Sequence, residues 1–131
     1  MPERSGDWIR QAKRDLESAR SQRQQGFHEW ACFIAQQAAE KALKAVYQRL
    51  GAETWGHSIV ELTKGLEEKL PVPDALRDAA LVLDRLYVPT RYPNGWAEGT
   101  PADFITDKDS SHAISGSEGI VQFCADRLAR P

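Results

Sequence analysis

FIAQQAAEKALKA, residues 33–45, belongs to the longest helical pattern in the chain and predicts the architecture around it. The pattern extends from about Phe27 to Leu50 and stops at Gly51, a residue type that commonly ends helices. Its small apolar residues recur at helical spacing and form a face suited to close packing against other helices. A second face is also largely apolar. Because a helix that is apolar nearly all round is buried on both sides, we expect one side to form a dimer interface in so small a protein. The first face contains Ala31, Ala35, Ala39, Ala42, Val46 and Leu50, and the second contains Trp30, Phe33, Ile34 and Ala45.

Four further segments show helical periodicity, and no segment alternates with the period of two that is typical of strands. Helices are predicted over about Asp7 to Gln25, Ser58 to Leu70, Asp74 to Tyr87 and Ser110 to Ala129. Ser58 followed by Glu61 is a capping-box pattern, and Asp74 is predicted to cap the fourth helix. The fold predicted for residues 1–131 is therefore a single all-α domain, an up-and-down helical bundle of about five helices with a long irregular loop before the last one.

The loop before the last helix contains YVPTRYPNGWAEGTPADF, residues 87–104. Its prolines and glycines predict an irregular segment that cannot be helical. Loops longer than about 12–15 residues in compact domains are usually functional or disordered, and this one is too rich in aromatic residues to be disordered. We expect it to pack across the bundle and to deliver Arg91 to a cleft near the second helix.

The composition excludes several classes of protein. The net charge is −2, and no apolar run approaches the roughly 20 residues that span a bilayer. No secretory leader opens the chain, so we expect a cytoplasmic protein whose two cysteines, Cys32 and Cys124, are reduced. No cluster of Cys and His has metal-ligand spacing, and neither a metal nor a cofactor is predicted. The basic residues of the first helix fit either a solvated face or a contact surface for RNA or an acidic partner.

Two polar residues, Gln37 and Lys41, interrupt the second apolar face of the longest helix. Buried polar groups need hydrogen-bond partners. Structural pairing within the bundle and contact with a ligand or a second subunit are both consistent with this pattern.

Four stretches together resemble the HEPN domain, a small helical bundle named for its occurrence in higher eukaryotes and prokaryotes and its suspected nucleotide binding. They are GFHEWACFIA, then QQAAEKALKA, then GHSIVEL at residues 56–62 and RYPN at residues 91–94. The resemblance extends from Trp8 to Leu128. It implies a helical bundle, homodimerisation and genetic pairing with a minimal nucleotidyltransferase, often as a toxin–antitoxin couple. Many HEPN proteins are also metal-independent ribonucleases.

The ribonuclease motif of that family is an arginine followed, after four to six residues, by a histidine near the start of the last helix. After Arg91 the corresponding positions, 96–98, hold tryptophan, alanine and glutamate. A literal match from Arg23 to His28 spans the turn between the first two helices, and we interpret it as coincidence. Because no histidine follows Arg91 at this spacing, the sequence shows no obvious general acid or base for RNA cleavage. No catalytic residue is therefore predicted.

The candidate binding residues lie in the loop and at the helix ends near it. Arg91 stands between aromatic residues and close to prolines, and its planar guanidinium suits phosphate or carboxylate; a structural salt bridge is the alternative. Tyr87, Tyr92 and Trp96 are suited either to stacking nucleic-acid bases or to pinning the loop to the core. His57 either lines the same cleft or makes a hydrogen bond at the entry to the third helix.

The sequence therefore predicts a homodimeric binding module for a nucleotide or RNA phosphate, with a nucleotidyltransferase as its protein partner. Its predicted phosphate-binding residues are Arg91, Tyr92, His57, Lys41 and Gln37, and its possible base-stacking residues are Tyr87 and Trp96. Two alternatives stay open. One is a ribonuclease toxin that uses Arg91 with His57 or His112 as the base, and the other is a purely structural subunit.

Overall fold

A computed structural model describes residues 3–54 and 56–130. Over these residues the chain is helical and contains no strand, which confirms the all-α bundle. None of the described helices is long and apolar enough to cross a membrane. The helices are α1 (Ser5–Gln24), α2 (His28–Leu50), α3 (Ile59–Glu67), α4 (Asp74–Arg85), α5 (Pro101–Phe104) and α6 (Asp107–Leu128), and a single 3-10 turn covers Pro93–Gly95.

Helix α2 forms the centre of the bundle. It packs along α1 and α6 and also contacts α3, α4 and α5. Its alanines are inaccessible to solvent, as the spacing predicted, and Gly51 ends the helix with a φ of +67°, in the left-handed region that favours glycine. Small side chains let neighbouring helices approach closely, while Leu43 and Val46 fill the remaining space in the core. The fully buried alanines of α2 are Ala31, Ala35, Ala38, Ala39, Ala42 and Ala45.

The start of α3 is fixed by a residue from another helix. The Ser58 hydroxyl accepts from the Glu61 N–H at 3.1 Å, which is the cap half of the predicted capping box, whereas the Glu61 carboxylate pairs with Lys64. The carboxylate of Asp84, near the end of α4, accepts from the Ser58 hydroxyl at 2.7 Å and from the N–H groups of Ile59 and Val60 at 2.7 and 3.0 Å. Asp84 therefore satisfies the first free donors of α3 and joins the two helices at this end.

Helix α3 ends at Glu67 rather than near Leu70. Two further predictions, about the segment before the last helix, are wrong for a shared reason. The segment predicted to be non-helical contains α5, and α6 begins at Asp107 rather than at Ser110. Thr100 with Asp103, and Thr106 with Asp109, form capping boxes in which each threonine and each aspartate binds the other residue's backbone N–H. An aspartate at the third helical position replaces the more familiar glutamate in both motifs.

The prediction that Asp74 caps α4 is also incorrect. Pro73 is the capping residue and Asp74 is the first residue of the helix, where its carboxylate pairs with Arg77 on the following turn. A carboxylate in the first turn interacts favourably with the positive end of the helix dipole. The helix therefore begins at Asp74, one residue earlier than a cap at this position would place it.

Two glycines inside helices provide a matched stability test. A Cβ on Gly65 would overlap the hydroxyl of Tyr47, a buried side chain that donates to the Leu62 carbonyl at 2.6 Å. A Cβ on Gly119 would meet no atom within 4 Å. We expect Gly65→Ala to lower the free energy of unfolding by about 1–3 kcal/mol through overpacking, and Gly119→Ala to raise it by about 0.5–1 kcal/mol. Urea unfolding measures both changes. Equal effects of the two substitutions would contradict the packing described around Tyr47.

Candidate functional site

Five side chains converge where the segment after α4 crosses α2, and they are called the arginine cluster below. Phe33 comes from α2, His57 immediately precedes the cap of α3, and Tyr87, Arg91 and Tyr92 follow α4. The Asp84 carboxylate joins the start of α3 to the end of α4. His57 therefore lies beside the segment that carries Arg91. The expectation that the loop delivers Arg91 to the neighbourhood of the second helix is met by this geometry.

The guanidinium of Arg91 lies among three aromatic rings. Its Cζ atom is 4.3 Å from the ring centre of Tyr87, 4.6 Å from that of Phe33 and 5.1 Å from that of Tyr92. Its Nε donates to the Tyr87 carbonyl at 2.9 Å. No carboxylate in the described part of the chain lies within salt-bridge distance of the guanidinium. Aromatic faces attract the cation but, unlike a carboxylate, bring no opposite charge to it.

The imidazole of His57 stacks on Tyr87 and is held by a buried carboxylate. The two rings are 5.5 Å apart at 17°, and Nδ1 of His57 lies 3.0 and 3.2 Å from the two carboxylate oxygens of Glu40. Glu40 also accepts from the Lys44 ammonium at 3.1 Å, one turn further along α2. Glu40 is only 5% exposed, and a buried charge is tolerated when it is paired in this way.

The backbone of His57 is fixed by a second residue of α2. Buried Gln36 donates from Nε2 to the His57 carbonyl at 2.9 Å, and its side-chain oxygen accepts from Gln37 at 2.8 Å. Gln37 therefore reaches the cluster only through Gln36. Sequence reasoning missed the roles of Phe33, Gln36 and Glu40. Their spacing of three, four and seven residues marked a common face of the helix, but nothing local indicated that this face meets His57 and Arg91.

Lys41 is not part of the arginine cluster. Its ammonium bonds to Asp15 of α1 at 2.5 Å. It lines an open cleft of about 670 Å³ together with residues of α1, among them Trp8 and Arg10. The structure therefore separates Lys41 from the other four predicted phosphate-binding residues.

Trp96 makes its contacts within the loop. Its indole N–H donates to the Pro89 carbonyl at 2.8 Å, and its ring stacks on Phe104 of α5 at 4.6 Å and 13°. These contacts are those expected of a residue that holds the loop in place. Of the three aromatic residues singled out in the loop sequence, Tyr87 and Tyr92 contact Arg91, and Tyr92 is 50% exposed.

The sequence match from Arg23 to His28 lies at another end of the bundle. Arg23 forms two hydrogen bonds with Asp107, at 3.0 and 3.2 Å, and this contact holds the pKa of the Asp107 carboxyl below its ordinary value, with a smaller contribution from His28. Nδ1 of His28 lies 3.0 Å from the Ser110 hydroxyl. Both side chains therefore join the α1–α2 turn to the start of α6. The third histidine, His112, lines a groove between α4 and α6.

The cysteines and potential metal ligands do not extend the site. Cys32 and Cys124 are free and buried, and burial raises the pKa of each thiol to about 12, so neither is an activated nucleophile. Among residues 3–54 and 56–130, no group of three His, Cys, Asp or Glu side chains is arranged to hold a metal ion.

Comparison with known proteins identifies the family. The family model of the HEPN domain matches residues 5–128. The chain belongs to the HEPN family. No curated protein matches it significantly.

Solved HEPN relatives share the fold of this HEPN protein over nearly their full length. TT1696 from Thermus thermophilus is 40% identical, with a TM-score of 0.92 over 95% of this chain and 98% of that one. ST0689, an archaeal HEPN homologue, is 38% identical, with a TM-score of 0.82 over 97% and 99% of the two chains. A HEPN domain protein from Thermotoga maritima, TM0613, is 37% identical, with a TM-score of 0.78 over 95% and 99%.

Proposed function

We propose that this HEPN protein is a binding module for the phosphate group of a nucleotide or of single-stranded RNA, with the arginine cluster as its site. One observation carries the proposal: the Arg91 guanidinium is stacked among three aromatic rings and has no carboxylate partner in the described chain. Arginine forks bind phosphate oxygens through charge-assisted hydrogen bonds. The stacked rings hold the fork in one orientation, which reduces the entropy lost on binding.

The rings around Arg91 also suit the remainder of a nucleotide. Tyr92 is half exposed, so its ring offers an aromatic surface beside the guanidinium. Bases stack on such surfaces with little regard to sequence, contributing about 1–3 kcal/mol per base. A ligand with a phosphate on Arg91 and a base on a neighbouring ring would use both parts of the site.

The proposal is tested by titrating a fluorescently labelled five-nucleotide RNA, and separately AMP and GMP, into the protein at two salt concentrations. We expect saturable binding that weakens with salt, because phosphate contacts depend on ionic strength. The absence of saturable binding by any of the three ligands would favour the alternative of a purely structural subunit.

We also propose that the protein is a cytoplasmic homodimer formed through α2. Phe27, which immediately precedes α2, and Trp30, in the first turn of α2, are 50% and 44% exposed, which is unusual for large apolar residues lying close together. Sedimentation at micromolar concentration should show a dimer, and Trp30→Glu should shift it toward monomer. Leu81→Glu is the control, since Leu81 is 48% exposed on α4 and should leave the dimer intact. A wild-type monomer under these conditions would contradict the proposal.

The membership of the HEPN family supports a protein partner as well. We propose pairing with a minimal nucleotidyltransferase in a toxin–antitoxin couple. Co-expression with a nucleotidyltransferase encoded next to it, followed by purification through a tag on one chain, tests this pairing. Recovery of the tagged chain alone would argue against the complex.

A second candidate function, metal-independent RNA cleavage, is favoured by the contact between His57 and Glu40. The carboxylate orients the imidazole, and both His57 and Arg91 contact the same Tyr87 ring. The pair would set a general base, His57, beside a phosphate-binding residue, Arg91. The spacing of the sequence motif did not indicate such a pair. The leaving oxygen also needs a proton donor. The nearest ammonium of the network, Lys44, is already bound to Glu40, so binding without cleavage is the function that we propose.

We therefore expect negligible cleavage of single-stranded RNA by the purified protein in the presence of a metal chelator. The measurement is gel analysis of a labelled RNA after prolonged incubation. Robust cleavage that disappears in both His57→Ala and Arg91→Ala would establish the ribonuclease instead. Cleavage that survives both substitutions would indicate a contaminating nuclease.

A further inference from the structure

Four residues of α4 form a patch on the surface of the bundle, called the α4 patch below. Spacings of three and four residues make them neighbours on the helix surface. Leu81 is 48% exposed, Val82 is half-buried, and the two charged residues are exposed. The patch consists of Asp78, Leu81, Val82 and Arg85.

The two charged residues of the α4 patch have no partner of opposite charge in the described part of the chain. No basic group lies within salt-bridge distance of the Asp78 carboxylate, and no carboxylate lies within that distance of the Arg85 guanidinium. Their sequence neighbours of opposite charge are engaged elsewhere, because Arg77 is bound to Glu67 and Asp84 accepts from N–H groups at the start of α3. The patch therefore offers one negative and one positive charge to another molecule.

The order of these residues along α4 is self-complementary. Asp78 stands three residues before Leu81, and Arg85 stands three residues after Val82. A two-fold axis that passes between Leu81 and Val82 would place a second α4 antiparallel to the first. Asp78 of each copy would then face Arg85 of the other, and Leu81 would face Val82. This is the pattern of an isologous contact, in which the same surface is used on both subunits.

A groove beside the patch has room for the leucine of a second copy. It runs between α4 and α6, has a volume of about 390 Å³ and is lined mainly by small and apolar residues, including Val82. A Cβ on Gly119, which also lines it, would meet no atom within 4 Å. In the antiparallel arrangement Leu81 of one copy lies over Val82 of the other, at the edge of this groove. Burial of the two exposed leucines supplies the apolar part of the contact.

We infer that the α4 patch binds the α4 patch of a second copy of this chain, as an antiparallel helix pair with an Asp78–Arg85 ion pair at each end. The contact uses a different helix from the proposed α2 interface, so it joins α2 dimers into larger assemblies and does not depend on that dimer. The arginine clusters follow the C-terminal ends of two antiparallel helices, so the contact does not bring them together. One helix pair buries less than the roughly 1,200–2,000 Å² of a stable interface, and the association is therefore weak.

The test is sedimentation equilibrium of the full chain from micromolar to millimolar concentration. We expect the average mass to rise above that of the dimer as the concentration increases. The rise should be smaller at high salt, because ions screen exposed charge pairs. Leu81→Glu should abolish the rise while the dimer stays intact.

Charge reversal identifies the paired residues. Asp78→Arg and Arg85→Asp, made singly, each replace two attractive pairs by two repulsive ones and should weaken the association by about tenfold. An equimolar mixture of the two single variants should restore it, because the mixed pair again places opposite charges at both ends. Lys13→Asp is the control, since it reverses an exposed charge on α1 and should associate as the wild type does.

Thermal unfolding of each variant shows whether the fold is intact. A wild-type mass that stays constant up to millimolar concentration would overturn the inference, as would folded single variants whose mixture does not associate. A wild-type monomer at micromolar concentration would contradict the α2 dimer alone. An association of such monomers that obeys the same charge reversals would still support the α4 contact.

Discussion

Replacing Arg91 by alanine is expected to weaken the binding of a nucleotide or a short RNA by roughly ten- to hundred-fold. A hydrogen bond to a charged group contributes about 1.5–3 kcal/mol, and this fork is already held by the rings of Phe33, Tyr87 and Tyr92. Arg91→Lys should recover only part of the loss, because an ammonium cannot form the bidentate contact and does not stack as a plane. Isothermal titration of the three proteins measures the difference.

Arg85 provides the matched control for this experiment. It is an exposed arginine in the last turn of α4, outside the arginine cluster. Arg85→Ala removes the same net charge and should change the affinity by less than about threefold, as expected of an exposed charge away from the contact. If Arg91→Ala had the same small effect, the binding would depend on overall charge and not on this site.

Because Arg91→Ala also removes ring contacts and the bond to the Tyr87 carbonyl, its unfolding temperature must be measured in parallel. A lowered unfolding temperature with unchanged affinity would assign Arg91 a structural role.

The largest effect on stability is expected at Asp84, where alanine should lower the free energy of unfolding by about 2–4 kcal/mol. The substitution removes the acceptor for the Ser58 hydroxyl and for the N–H groups of Ile59 and Val60. Hydrogen bonds to a charged acceptor are among the stronger ones in proteins, and a lost helix cap alone costs about 1 kcal/mol. Urea unfolding at neutral pH measures the change.

Two variants define what Asp84 contributes. Asp84→Asn keeps one carbonyl acceptor and should lose about half as much stability as alanine. Asp78→Ala, an exposed aspartate on the same helix, should change stability by less than about 0.5 kcal/mol. If Asp84→Ala behaved like Asp78→Ala, the α3 cap would not depend on α4.

Periodicity was sufficient to predict the five longer helices, but not α5 and not which elements each helix contacts. The alanine face of α2, the end at Gly51 and the Ser58 cap could be predicted because each depends on residues within a few positions of one another. The start of α6 is just as local, because Thr106 and Asp109 form a capping box in which aspartate takes the place of glutamate.

The candidate site was predictable only in part, because helical spacing fixes a face and does not tell which element covers it. Gln37 and Lys41 lie four residues apart, yet one is linked to His57 through Gln36 and the other bonds to α1. The contact of Glu40 with His57 depends on how α3 begins. The contact of Phe33 with Arg91 depends on the path of the chain after α4. Neither is a property of local sequence.

The Asp84 link between α3 and α4 has a consequence for the energetics of the site. His57 precedes the hairpin formed by α3 and α4, and Arg91 follows it. Both residues contact the Tyr87 ring. A ligand held by His57 and Arg91 together would bridge the two ends of this hairpin. It would then bind only the closed form, so that binding and local folding become linked equilibria. Ligand affinity would fall in Asp84→Ala without any change in the site's own side chains, and the amide hydrogens of α3 would exchange more slowly when the site is filled.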